Sequence, residues 1–263
     1  MIRHRRLRDH SINRLIPNML TIFALCAGLT GIRFALLDRW ENAVIAILIA
    51  AVFDALDGRI ARLLDSSSKF GAELDSLSDF VSFGVAPAMI MFLWSTQEVK
   101  GIGWALTLAF SACMALRLAR FNTKLDNADL PAWTSRFFTG VPAPAGAGLV
   151  LMPLIAWLEY GFEFLRAPAF VGIFLVVVAG LLVSRLPTFS FKRVRVTQAW
   201  VLPTMIAVVA YASLLVSVPW ATLFFTLLAY LSTLPFAYRS QRRLQAQRPI
   251  PEAAATEVDV DHD

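Results

Sequence analysis

Histidine is almost missing from this 263-residue chain. The three present, His4, His10 and His262, sit near the two ends. That excludes a histidine base, a Ser-His-Asp arrangement and histidine-bound zinc from the apolar interior. Cysteine is as scarce: Cys26 and Cys113 each lie inside an apolar run. They form neither a disulfide framework nor a metal-ligand spacing, and read as small packing residues. Charge is also sparse, at 16% of residues, against about 25% in an ordinary soluble domain. What fills the chain instead is apolar: 57% hydrophobic residues and a mean hydropathy of +0.62. Apolar runs near the length of a bilayer crossing recur from end to end, which predicts an all-α polytopic membrane protein rather than a globular domain on one anchor.

The spacing of those runs predicts eight membrane helices, at 17–37, 41–64, 71–95, 101–122, 141–160, 168–184, 198–216 and 219–236. Pro17, Pro142, Pro168 and Pro219 fall near predicted starts, where proline is tolerated. The start, "MIRHRRLRDH", resembles the basic end of a signal peptide, but the apolar run behind it is long and lacks a small-x-small cleavage site. It reads as a retained basic arm, 1–16, ahead of a membrane domain, 17–238. The rest, 239–263, ends in the acidic "PEAAATEVDVDHD" and reads as a disordered tail. The net charge is +5. The cations cluster between alternate apolar runs: Arg3 to Arg14, Lys69, Lys124 and Arg136, Arg185 to Arg195, and Arg239 to Arg248 on one side. Only Arg33, Arg39, Lys100 and Arg166 fall on the other. By the positive-inside rule both termini and the turn at 65–70 face the cytoplasm of a cell membrane. A basic surface of that kind calls for a bilayer, not for nucleic acid.

One stretch breaks the apolar pattern: "DALDGRIARLLDSSSKFGAELDSLSD", residues 54–79. Asp54, Asp57, Gly58, Ala61 and Arg62 recur at three and four residues, so they share one side of the second helix. Gly71, Asp75 and Asp79 recur every four and share one side of the third. The turn "DSSSK" makes the two helices antiparallel neighbours. Four aspartates then converge near the cytoplasmic boundary. Each costs roughly 2.5–3.5 kcal/mol in a membrane helix, so some cation must offset them. Carboxylate oxygens suit a hard divalent ion, Mg²⁺ or Mn²⁺, and four shared among two ions match the pairs used in phosphoryl chemistry. The glycines leave room for a bulky anion against the backbone, and Arg62 offers a guanidinium to phosphate. The blander alternative is an ion-paired turn, Asp57 with Arg62 and Asp65 with Lys69. Asp65, Lys69 and Glu73 fit that reading as boundary charges.

The pattern D-x₂-D-G-x₂-A-R-x₈-G-x₃-D-x₃-D, with every fixed position filled, is the signature of the CDP-alcohol phosphatidyltransferases, and the chain resembles that family. Chance agreement at eight positions is on the order of once in 10⁹ windows. The resemblance implies the family's membrane fold and transfer of a phosphatidyl group from CDP-diacylglycerol to an alcohol. It implies that Asp54, Asp57 and Asp75 bind metal, and that Asp79 binds metal and is the general base. It places Gly58, Ala61, Arg62 and Gly71 along the CDP moiety. "PNMLT" resembles the family's nucleotide-side segment, which makes Asn18 and Thr21 candidates there. Ser68 stands where some relatives hold phosphate, and a plain turn serine explains it equally well. Members are commonly homodimers.

The acceptor must be read elsewhere. "ALRLARFN", 115–122, puts Arg117, Arg120 and Asn122 at the cytoplasmic end of the fourth helix. Two arginines there can hold a carboxylate, which L-serine carries and choline lacks; they can equally stabilise a helix C-terminus. R-x-A-R-F-N, with "FTGVPAPAGAG" (138–148) and "VSRLPTFSFK" (183–192), resembles the integral-membrane members of the family that use serine. Glycerol 3-phosphate, inositol phosphate or choline are the alternatives within the family. A small ion or solute transporter with an intramembrane acidic site is the alternative outside it.

Overall fold

A computed structural model describes residues 9–64, 68–125, 137–139, 141–184, 187–189 and 198–247. The arm before Asp9, Asp65 to Ser67 in the turn, the basic positions Arg136, Arg185 and Lys192 to Arg195, and the acidic tail lie outside the described residues.

Long helices stand at all the places where apolar runs predict them. They are α1 (Asp9–Leu36), α2 (Trp40–Leu63), α3 (Lys69–Trp94) and α4 (Lys100–Leu125). Then follow α5 (Ala143–Tyr160), α6 (Pro168–Val183), α7 (Gln198–Ser217) and α8 (Pro219–Gln247). Among the described residues, 5 helices are long and apolar enough to cross a membrane: α1, α3, α4, α5 and α7. The chain is a polytopic, almost wholly helical membrane protein.

Proline marks the starts of α5, α6 and α8 as expected. Pro17 does not. The first helix begins at Asp9 and carries Pro17 inside it, although proline removes one backbone hydrogen bond there. The Thr21 hydroxyl lies 3.1 Å from the Pro17 carbonyl, sharing its one proton between that oxygen and a closer carboxylate, Asp57 at 2.7 Å. At the other end α8 runs on to Gln247, past the expected limit of the last apolar run. A short antiparallel pair, β1 (Phe137–Thr139) and β2 (Pro187–Phe189), was not foreseen either. Phe138 lies opposite Thr188, so the two stretches singled out in sequence, behind α4 and behind α6, meet.

The axis of the bundle is α5. Its residues Gly146, Ala147 and Leu149 to Ala156 are all buried, which is the all-round apolar character of a helix enclosed by others. Its opposite is α7, where none of the window Trp200–Ser217 is buried (0%). Cys113 packs against the core, whereas Cys26 is exposed on α1.

Two features of α3 bear on the site. Immediately after Asp79, residues Phe80–Val85 form a π-helix, a rare geometry found often at functional sites. The helix also lies hard against α1. Ser78 Oγ donates to the Thr21 carbonyl at 3.0 Å and Ser82 Oγ to the Ala24 carbonyl at 3.2 Å. A Cβ on Gly28 would stand 2.7 Å from Ser82 Oγ, so only glycine permits this approach. The far end of α3 is pinned as well: Ser95 Oγ donates to the Arg166 carbonyl at 2.6 Å, and Arg166 Nε donates to the Trp94 carbonyl at 3.0 Å.

Candidate active site

The carboxylates come from two helix ends that face each other. Asp54 and Asp57 lie in the last turns of α2, and Asp75 and Asp79 in the first turns of α3. Asp54 is nine residues from Leu63, so the cluster sits about 13 Å inside the helix end at ~1.5 Å per residue. One oxygen from each of Asp54, Asp57 and Asp75 lies within 4.8 Å of the others. Asp79 is within side-chain hydrogen-bonding reach of Asp54. All four expected aspartates therefore meet in one place.

Asp57 is the deepest, at 4% exposure. It accepts a hydrogen bond from Thr21 Oγ1 at 2.7 Å rather than pairing with Arg62, which is exposed. The ion-paired turn is not what holds it. A hydrogen bond to a charged group contributes roughly 1.5–3 kcal/mol, far short of what one buried carboxylate adjoining three half-buried ones requires. The shortfall, and a donor set made only of oxygens, fit a hard divalent cation. The residues form a carboxylate cluster able to hold a metal ion.

Around the cluster the nucleotide-side candidates also gather. Thr21 is in direct contact with the acidic group through Asp57. Asn18 approaches Gly71 so closely that a Cβ there would lie 3.0 Å from Asn18 Oδ1 and 3.2 Å from Ser68 Oγ. Ser68 is the N-cap of α3, accepting from the Gly71 N–H at 3.0 Å; the capping role accounts for this serine at a helix start. A Cβ on Gly58 would meet only Arg62 Nη1, at 3.6 Å, so the flank of α2 beside the aspartates is open. Ala61 is half-buried between them in sequence.

The acceptor-side candidates are dispersed. Arg117 Nε donates to the Val141 carbonyl, just before α5, and the guanidinium lies within electrostatic range of Asp79. Arg120 Nη1 donates at 2.7 Å to the Val183 carbonyl, at the C-terminus of α6. Asn122 Nδ2 donates at 2.9 Å to Ser76 Oγ, which ties α4 to α3. Arg117 thus faces Asp79, and Asn122 bonds the neighbour of Asp75.

Several participants escaped the sequence reading. Ser76, Ser78 and Ser82 fasten the helix that carries Asp75 and Asp79. Their signal was present as small polar residues at spacings of two and four, interleaved with Asp75 and Asp79. Tyr230, on α8, lies within electrostatic range of Arg117, and no motif marks it.

Comparison with known proteins bears on this geometry. Residues 14–182 match the CDP-alcohol phosphatidyltransferase family. A Mycobacterium leprae (strain TN) protein named CDP-diacylglycerol–serine O-phosphatidyltransferase is 38% identical over 95% of this chain and 82% of its own length. A Helicobacter pylori (strain J99 / ATCC 700824) protein of the same name is 35% identical over 76% of this chain and 81% of itself. One from Saccharomyces cerevisiae (strain ATCC 204508 / S288c) is 44% identical over 42% of this chain and 40% of itself.

Proposed function

The chain belongs to the CDP-alcohol phosphatidyltransferase family, and from that premise we propose that it transfers the phosphatidyl group of CDP-diacylglycerol to L-serine. The products are phosphatidylserine and CMP. The observation that carries the reading is the convergence of Asp54, Asp57 and Asp75 within 4.8 Å, with Asp79 against Asp54. The choice of serine draws on the shared name of relatives that align with most of the chain.

Asp79 takes the proton of the serine hydroxyl as its oxygen attacks the phosphorus that bears diacylglycerol. The P–O bond to the bridging oxygen breaks and CMP leaves with the electron pair. A positioned base of this kind contributes typically 10²–10⁴-fold. Asp54, Asp57, Asp75 and Asp79 would hold Mg²⁺ or Mn²⁺, as two ions, which would supply positive charge to offset the pyrophosphate. Gly58 and Gly71 keep space for the nucleotide, with Asn18, Thr21, Ala61, Arg62 and Ser68 along it. Arg117, with Arg120 and Asn122 behind it, faces the serine carboxylate. The site opens to the cytoplasm from the cytoplasmic membrane, both termini lie on that side, and the protein works as a homodimer. The basic arm, 1–16, and the tail, 239–263, flank the catalytic membrane domain.

The deciding experiment incubates the purified protein with CDP-diacylglycerol and a panel of labelled alcohols, with and without EDTA. Metal-dependent release of CMP with serine alone is the expected result. Release with glycerol 3-phosphate, inositol phosphate or choline instead would move the acceptor and keep the chemistry. No release with any alcohol would favour the acidic transporter.

A further inference from the structure

The acceptor side of the site has one group without an assigned task. The Tyr230 hydroxyl is enclosed by protein and has no hydrogen-bond partner. Such groups are uncommon because the lost hydration is not replaced. Phenylalanine would fill the same space without that cost, so the hydroxyl calls for an explanation. The other such atoms among the described residues, Trp94 Nε1 and Thr96 Oγ1, lie at the opposite end of α3, away from the carboxylates.

The place of Tyr230 follows from how α8 docks. Leu223, Leu227 and Tyr230, at i, i+4 and i+7, all pack on the core. The helix comes in close because α5 presents a glycine: a Cβ on Gly148 would stand 2.8 Å from Leu227 Cδ2. One turn further on, Tyr230 comes within electrostatic range of Arg117, which is itself within range of Asp79. The same helix runs alongside β2, which is paired to β1. So α8 borders the assembly built from the two stretches that follow α4 and α6. It also lies outside residues 14–182, the part matched to the family as a whole.

We propose that Tyr230 is a specificity-determining residue of the acceptor pocket, its phenol O–H donating beside Arg117 to the carboxylate of an amino-acid acceptor. This rests on the serine reading above. A phenol supplies what the arginine cannot: a single short donor on a rigid ring, reaching a carboxylate oxygen from another helix. The pair would select an acceptor that carries a carboxylate next to its hydroxyl arm.

Steady-state kinetics of the full-length protein with CDP-diacylglycerol and serine test this. Tyr230→Phe should raise the apparent KM for serine by about 10–150-fold, the range for one hydrogen bond to a charged group. The apparent KM for CDP-diacylglycerol should stay unchanged. Leu227→Ala, which loosens the same helix and keeps the hydroxyl, should lower the melting temperature without that selective change. An unaltered serine KM in Tyr230→Phe, or both KM values rising together, would overturn the proposal. So would outright loss of the fold, which would make the hydroxyl structural. A wild-type protein that turns over CDP-diacylglycerol with another alcohol but not serine would sink the serine reading instead, and is told apart by that first measurement.

Discussion

The two halves of the site are built in different ways. The donor half lies on two adjacent helices joined by one short turn, with α1 laid across them; its side chains bond one another directly, as Thr21 does to Asp57 at 2.7 Å. The proposed acceptor half draws on α4, the approach to α5, the end of α6, and α8. Its arginines reach backbone carbonyls instead of each other. The contrast suggests a fixed chemical engine beside a pocket whose walls come from separable parts, each able to change without disturbing the carboxylates.

Substitutions can strain that contrast, the largest effects belonging to the donor half. Asp79→Asn should lower kcat by about 10²–10⁴-fold, the contribution of a positioned base. Asp54→Asn should abolish turnover and weaken Mn²⁺ binding measured by calorimetry. Near-normal turnover of Asp54→Asn at saturating metal would count against ligation by that residue.

Next comes Arg117→Gln, expected to raise the apparent KM for serine by about 10–150-fold with little change for CDP-diacylglycerol. Equal damage to both substrates would put Arg117 in the donor half and blur the division. Thr21→Val keeps the shape of the side chain and removes the hydrogen bond to Asp57. The metal concentration for half-maximal activity should rise about 10–100-fold, as for other residues that orient a ligand. An unchanged metal requirement would mean that Asp57 is held without it.

The smallest catalytic effect is expected from Arg120→Gln. Its guanidinium serves the end of α6, so the loss should appear as about 1.5–3 kcal/mol of stability, read as a lower melting temperature, while the serine KM moves little. A serine defect as large as that of Arg117→Gln would show that both arginines face the acceptor.

What could be read from sequence follows the same division. Hydrophobic length placed α5, α6 and α7 within about two residues, because a bilayer imposes the same thickness on each run. The carboxylate cluster was legible because its members sit at helical spacings on either side of one short turn. Pro17 misled because a proline ahead of an apolar run looks like a start, and nothing local says that a threonine hydroxyl four residues on lies 3.1 Å from its carbonyl. The π-helix has no composition of its own, so nothing in the run Phe80–Val85 announces it. Tyr230 was invisible for a third reason: it lies more than a hundred residues from Arg117 in sequence, and only the close passage of α8 over Gly148 joins them.

Thr21 touches both carboxylate-bearing helices. Its hydroxyl is on Asp57 of α2, and its carbonyl receives Ser78 of α3, the neighbour of Asp79. One residue of α1 thus works as a gauge block between two jaws, and the gap it sets is the gap the carboxylates span. The spacing of the carboxylates is held by a residue that lies on neither of the helices carrying them. A drift of α1 by a fraction of an ångström would open or close the jaws together, so α1 is the part to clamp, or to loosen, in tuning the spacing of the carboxylates.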